Sequence, residues 1–314
     1  MTSDSALQIE IEGPLVVLRL NRPAARNALN AELLGQFARA VEQLERRQDV
    51  VAGLICGAGA SFCAGADLFE LARMAPGEAR GLEQLASNTF ERLARLPIVW
   101  VAALHGHAVG GGLLISLYAD VRIAAAGTQL GFPAASQAWL PPWGLSRLAG
   151  WVGAARAESL LLSAGLFDAS EAARWGLVDR IVALAELESV ARETAARLAR
   201  SRRAVVAEVR HFFASLRATD HAHWDRLAAA GFERAFASDE AREAIRRFVA
   251  SRAESAPDAR SRSEAAERRD EAALRDEAAL RDEAGLRDEV GLRDEVGLRD
   301  KAAPPNASDS EDTV

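Results

Sequence analysis

A chain of 314 residues, 49% of them hydrophobic, has enough apolar side chains for a full core and an appendage. Its net charge of −7 is local: from Ala253 onward there are 18 acidic against 10 basic residues, and before it 27 against 28. The near-neutral body offers no nucleic-acid surface, and its apolar runs are broken by Gly, His or Arg before membrane-spanning length, so no transmembrane helix is expected. The polar start over residues 1–5 does not read as a secretory signal. Cys56 and Cys63 are too few for a disulfide framework and read as reduced thiols, which points to the cytoplasm. Lys301 is the sole lysine, which removes Schiff-base chemistry from the globular part.

Residues 7–11 alternate apolar and polar, Glu12-Gly13-Pro14 breaks the pattern, and 15–20 run apolar; a hairpin at the domain edge is predicted. Asn30 can cap a helix over 31–47 with Leu33, Leu34, Phe37, Val41 and Leu44 on one face. A buried strand is expected over 50–56, a helix over 66–74 with Asp67 near its positive end, and a helix over 81–96 stopped by Pro97. A strand over 98–104, a helix over 111–118 and short strands at 121–124 and 130–132 follow. This alternation implies a β/α core with buried sheets. After about Glu188 the pattern is helical, with apolar faces over 190–216, 224–236 and 241–252, the last led by Ser238-Asp239-Glu240. Helices added to a completed core often pack on a neighbouring subunit.

The tail is different material. Arg269-Asp270-Glu271-Ala272-Ala273-Leu274 repeats with drift as hexads through Leu298. A six-residue step places the leucines on three faces of a helix, so no coiled-coil seam results. A solvated helix or disorder is the expected state, weakened further by glycines at 285, 291 and 297. A repeat expansion without specific function is favoured over a partner-binding arm, and no tail partner can be named.

Two glycine-bearing turns, Cys63-Ala64-Gly65-Ala66-Asp67-Leu68 and Ala108-Val109-Gly110-Gly111-Gly112, each follow a strand-like run and open a helix-like one. Converging, they would present unpaired N–H groups to a carbonyl oxygen that gains negative charge. Either turn alone is weak evidence. Together with Asn21-Arg22-Pro23-Ala24-Ala25-Arg26-Asn27-Ala28-Leu29-Asn30, Gly131-Phe132-Pro133, Pro141-Pro142-Trp143-Gly144-Leu145-Ser146 and Ala172-Ala173-Arg174-Trp175-Gly176-Leu177-Val178, the chain resembles the enoyl-CoA hydratase/isomerase (crotonase) superfamily over about residues 7–252. Asp120 and the run from Phe236 to Glu243 continue the match.

The resemblance implies an α/β, crotonase-like spiral of β-β-α units over 1–188. It also implies C-terminal helices over 189–252 that build a homotrimer or dimer of trimers, with the charged tail over 253–314 left uncovered. It implies an acyl-CoA partner, with the coenzyme A thioester as substrate or ligand and no separate cofactor or metal. Ala66 and Gly111 match the residues whose N–H groups form the oxyanion hole. Ala64 and Leu68 match positions whose backbone meets the adenine, and Ala28 lies in the matching first-strand segment. Arg22 or Arg26 could neutralise a CoA phosphate, against the plainer reading of a solvated charge. Trp139 and Trp143 line or cover the acyl cavity, with core packing the competing view.

The departures bear on the reaction. Leu114 and Ala134 stand where family hydratases place glutamates, and Pro142 stands where some isomerases place an aspartate. Hydration of an enoyl thioester needs a positioned water and proton transfer, which Leu, Ala and Pro cannot provide. His107 is the remaining acid–base candidate, against the reading of a turn histidine bonded to backbone; Glu70 reads as a helix-surface acid. His211, His221 and His223 show no metal-ligand pairing. Three functions stay open: a thioester enzyme doing isomerisation, decarboxylation or hydrolysis; a non-catalytic acyl-CoA binder; and an interaction protein acting through its tail.

Overall fold

The alternating run that opens the chain folds as a hairpin: β1 (Leu7–Glu12) and β2 (Leu15–Leu20) pair antiparallel, Leu7 opposite Leu20 and Glu12 opposite Leu15. The computed structural model describes residues 5–134, 138–216 and 221–254. From β2 the sheet grows by parallel addition of β3 (Ala52–Gly57) and β4 (Val99–Leu104). After β5 (His107–Val109), β6 (Val121–Ala125) joins β4, and β9 (Arg180–Val182) joins β6, giving the order β1-β2-β3-β4-β6-β9. A second, smaller sheet has the order β5-β7-β8, from β7 (Gln129–Gly131) and β8 (Leu166–Asp168).

The central strands are buried on both faces, so they read as continuous apolar runs. Alternate residues serve different layers. Trp100, Ala102 and Leu104 join the main core, whereas Val101 and Ala103 pack with Leu54, Ile123 and Ala191 on the opposite face. That second face is covered by α8 (Leu187–Leu198). The main core is closed by α1 (Ala31–Glu45) and α3 (Pro76–Arg95), which pack on each other through Phe37 and Phe90, their ring centroids 5.2 Å apart. As expected, the Asn30 side chain caps α1, accepting the Leu33 N–H at 3.0 Å.

Several boundaries differ from the sequence reading. The helix expected over 66–74 shrinks to α2 (Leu68–Leu71), because Asp67 is its cap and accepts the Phe69 and Glu70 N–H groups at 3.2 Å. By contrast α3 starts five residues early, with Pro76 in its first turn and the Glu78 carboxylate accepting the Ala75 N–H at 2.8 Å. The helical stretch 190–216 is two helices, α8 and α9 (Arg203–Leu216). At the break, the Arg203 guanidinium donates to the Val50 carbonyl at 2.6 Å and fixes where α9 starts. The expected short strands, 121–124 and 130–132, appear as β6 and β7 within a residue or so.

Between α4 (Gly111–Ser116) and β9 lie elements the periodicity did not announce: α5 (Leu145–Val152), α6 (Ala154–Ser163), β8 and α7 (Ala169–Arg174). Arg122 ties this region to β6. Its buried guanidinium donates to the Leu177 and Ala119 carbonyls and to Asp179, and stacks 3.9 Å from the Trp151 ring. Two further helices follow, α10 (His221–Phe236) and α11 (Asp239–Glu254). The hexad repeat lies outside the described residues. Among the described residues no helix is long and apolar enough to cross a membrane.

Candidate active site

The two glycine-bearing turns meet. Cys63 donates its N–H to the His107 carbonyl at 2.9 Å and accepts the Val109 N–H at 3.0 Å, a parallel bridge that lays the first turn along β5. On its other side the first turn pairs with Leu29, whose N–H donates to Gly65 O at 2.7 Å and whose carbonyl accepts the Asp67 N–H at 2.9 Å. Since Leu29 takes its bonds from the residues either side of Ala66, the Ala66 N–H points off the opposite edge of the backbone. Gly111 is the first residue of α4, so its N–H has no carbonyl one turn earlier to bond.

Glycine is required where the turns touch. Gly65 has φ +89°, and a Cβ there would lie 2.8 Å from the Val109 carbonyl oxygen and 3.6 Å from Gly111 N. Gly112 is pressed against the first turn in the same way, a Cβ there falling 2.4 Å from Cys63 O. The Cys63 thiol at this seam is fully buried, and burial pushes its pKa up to about 12, so it packs as a small apolar group.

Ala66 and Gly111 open on a cavity of about 100 Å³, which has room for several water-sized groups. Ala64, Leu68, Leu114, Ala134, Trp139, Pro142 and Trp143 line it too, so most of the sequence-predicted site residues are gathered in one place. Leu114 and Ala134 thus present apolar walls where the resemblance would put acids. Trp143 is buried against Phe90, ring centroids 5.3 Å apart, and Tyr118, 6.1 Å. Trp139 packs on Phe232 and Phe236 of α10, and Phe232 itself reaches the cavity.

The charged candidates lie elsewhere. Arg22 donates to Asp67 at 3.0 Å and to the Ala28 carbonyl, which braces the first turn from behind. Arg26 is exposed and its carbonyl accepts the Ala64 N–H at 3.0 Å. His107 is outside the set of lining residues; its Nδ1 faces the Ser61 hydroxyl at 3.5 Å. His105 Nε2 lies 2.9 Å from the Gly59 carbonyl. Glu70 accepts the Ala31 N–H at 3.0 Å and so supports the start of α1.

One residue that the sequence reading passed over is in the cavity. Glu83 of α3 is the sole ionisable side chain among the described residues that line it. Its Oε2 accepts the Trp143 Nε1–H at 2.7 Å. Burial pushes its carboxyl up to about 7, against the smaller downward pull of that indole N–H. The signal was in the periodicity: Glu83 falls four residues after Ala79 and three before Ala86, both buried, so it sits on the inward stripe of α3.

Comparison with known proteins gives a consistent picture. Residues 10–255 match the family model described as enoyl-CoA hydratase/isomerase. The chain is 37% identical over 189 residues to a short-chain-enoyl-CoA hydratase of Clostridium acetobutylicum, covering 60% of this chain and 72% of that protein. It is 35% identical over 192 residues to a crotonyl-CoA hydratase of Syntrophomonas wolfei, covering 60% and 74%. Among solved structures, the enoyl-CoA hydratase from Bacillus anthracis superposes with a TM-score of 0.66 at 30% identity, covering 72% of this chain and 90% of that one.

Proposed function

This chain belongs to the enoyl-CoA hydratase/isomerase family and has its crotonase fold, and from that premise we propose that it binds an acyl-CoA thioester and polarises the thioester carbonyl between the Ala66 and Gly111 N–H groups. The observation that carries this reading is the meeting of the two turns: both N–H groups leave their own hydrogen-bonding ladders and border one apolar cavity. Two fixed donors stabilise an oxyanion most in a site that excludes water, and removing one such donor typically costs about 10²–10³ in rate. The backbone of Ala64 and Leu68, with Ala28 alongside, is assigned to the adenine. Arg26, exposed at the rim of the first turn, suits a CoA phosphate better than Arg22, which is engaged with Asp67. Trp139 and Trp143 wall the acyl end. The C-terminal helices over 189–252 are assigned to a homotrimer or a dimer of trimers.

Ordinary hydration is disfavoured. Leu114 and Ala134 can neither hold water nor exchange a proton, and losing one acid–base group costs about 10²–10⁴ in rate. Incubation with crotonyl-CoA, following loss of the enoyl chromophore, tests this: turnover well below that of the hydratases the chain resembles is expected, and an equal rate would refute the reading of positions 114 and 134. The second reading, a non-catalytic acyl-CoA binder, is favoured by the apolar lining. Calorimetry with hexanoyl-CoA, showing neither heat nor competition by free CoA, would count against both.

A further inference from the structure

We infer that Glu83 is the proton-transfer group of this cavity, and that the reaction it fits is migration of a double bond in an enoyl thioester rather than addition of water. The inference rests on the thioester reading above and deepens it.

The geometry is a single ring wide. Trp143 touches both halves of the site: its Cζ2 edge lies 3.7 Å from where a Cβ on Gly111 would be, and its Nε1 donates to Glu83 at 2.7 Å. Both contacts are made by one edge of the indole, so the Gly111 side of the hole and the carboxylate border the same part of the cavity. Trp143 holds only Oε2; among the described residues Oε1 has no hydrogen-bond partner, which leaves it for a proton. The same indole stacks on Phe90, which lies about two turns beyond Glu83 on α3, so acid and ring are positioned by one helix.

One carboxylate suffices for the step. Ionised Glu83 removes a proton from C2 of a 3-enoyl thioester; the C–H electron pair forms C1=C2 as the carbonyl pair moves onto the oxygen held by Ala66 and Gly111, giving a dienolate conjugated with C3=C4. The acid then returns that proton to C4: the oxyanion re-forms the C=O bond, the C1=C2 pair becomes C2=C3, the C3=C4 pair makes the new C4–H bond, and the carboxylate is restored. Nothing is consumed. Hydration would need a second acid–base group to hold and activate the attacking water, and the other described lining side chains are apolar apart from the Trp139 and Trp143 indoles, which cannot take a proton from water.

The carboxyl is not tuned by other charges. On the helices that pack against α3, Glu45 of α1 pairs with Arg92, Glu233 of α10 with Arg80 and Arg210 of α9 with Asp120, and Asp225 of α10 accepts the Ser87 hydroxyl and the Gly144 N–H. On α3 itself Glu91 pairs with Arg147. Burial and Trp143 set its protonation.

The test uses the full chain, with hexanoyl-CoA in D₂O to read exchange of the C2 protons by mass spectrometry, and 3-hexenoyl-CoA to read isomerisation. Binding of hexanoyl-CoA is measured in parallel by calorimetry. The expected result is exchange and isomerisation in the wild type, and a loss of about 10²–10⁴ in both rates in Glu83→Gln with unchanged binding. A merely structural role would tolerate Gln, which still accepts the Trp143 N–H. Trp143→Phe keeps the acid but removes its donor, so the exchange rate should rise at a higher pH than in the wild type. Binding without exchange in the wild-type protein, or activity that survives Glu83→Gln and vanishes in His107→Ala, overturns the inference and spares the thioester reading. Absence of binding overturns both.

Discussion

Replacing Glu83 by Gln should make the protein more stable above neutral pH while removing its acid. The carboxyl is raised by burial from its ordinary 4.5 to about 7, and each pKa unit corresponds to about 1.36 kcal/mol between the two protonation states. With the folded value above the unfolded one, the folded chain binds the extra proton. The resulting stability is fully present below about pH 4.5 and is lost as pH rises through about 7, by up to roughly 3 kcal/mol over that window. Gln is neutral at every pH, keeps the shape and still accepts the indole N–H, so the variant lacks this loss. Urea unfolding of both proteins at pH 5 and pH 8 measures it as a difference of differences, which cancels the other titrating groups. The reasoning fails if the two proteins lose stability in parallel, or if Glu83→Gln is the less stable at pH 8.

Gly65→Ala should destabilise by about 1–3 kcal/mol and weaken hexanoyl-CoA binding, because φ of +89° and the Val109 carbonyl at 2.8 Å both exclude a methyl; unfolding and calorimetry with unchanged values would contradict it. Arg122→Met should cost about 3 kcal/mol in urea unfolding, since it leaves the Leu177 and Ala119 carbonyls without their donor and Asp179 without its ion pair, yet acyl-CoA affinity should hold because Arg122 is not a lining residue. Asn30→Ala should cost about 1 kcal/mol by removing the cap of α1, again measured by unfolding.

The hairpin, α1 with its Asn30 cap and the buried strands β3 and β4 were legible because each carries a strong local signal: alternation, a capping side chain, or a run of apolar residues between turns. The stretch from α5 to α7 was not, since its helices are short and mostly half-exposed, and β8 is three residues whose pairing with β7 is a long-range matter. The break before Arg203 carries no Gly or Pro; it is set by tertiary bonds to Val50 and Pro97 that sequence pattern does not contain. At the site, the backbone half was readable from the glycine motifs. The acid was not, because Glu83 belongs to no motif and its meaning depends on Trp143, sixty residues away in the chain. His107 was drawn in by proximity along the chain to Gly111, but it stands at the start of β5, two residues before Val109 reaches the cavity, and its ring meets Ser61 instead.

A structure of the protein with bound hexanoyl-CoA tests the account at its root. The predicted result is a thioester oxygen about 2.7–3.1 Å from both Ala66 N and Gly111 N. A bound ligand whose carbonyl reaches neither amide, or lies outside the cavity they border, would contradict it.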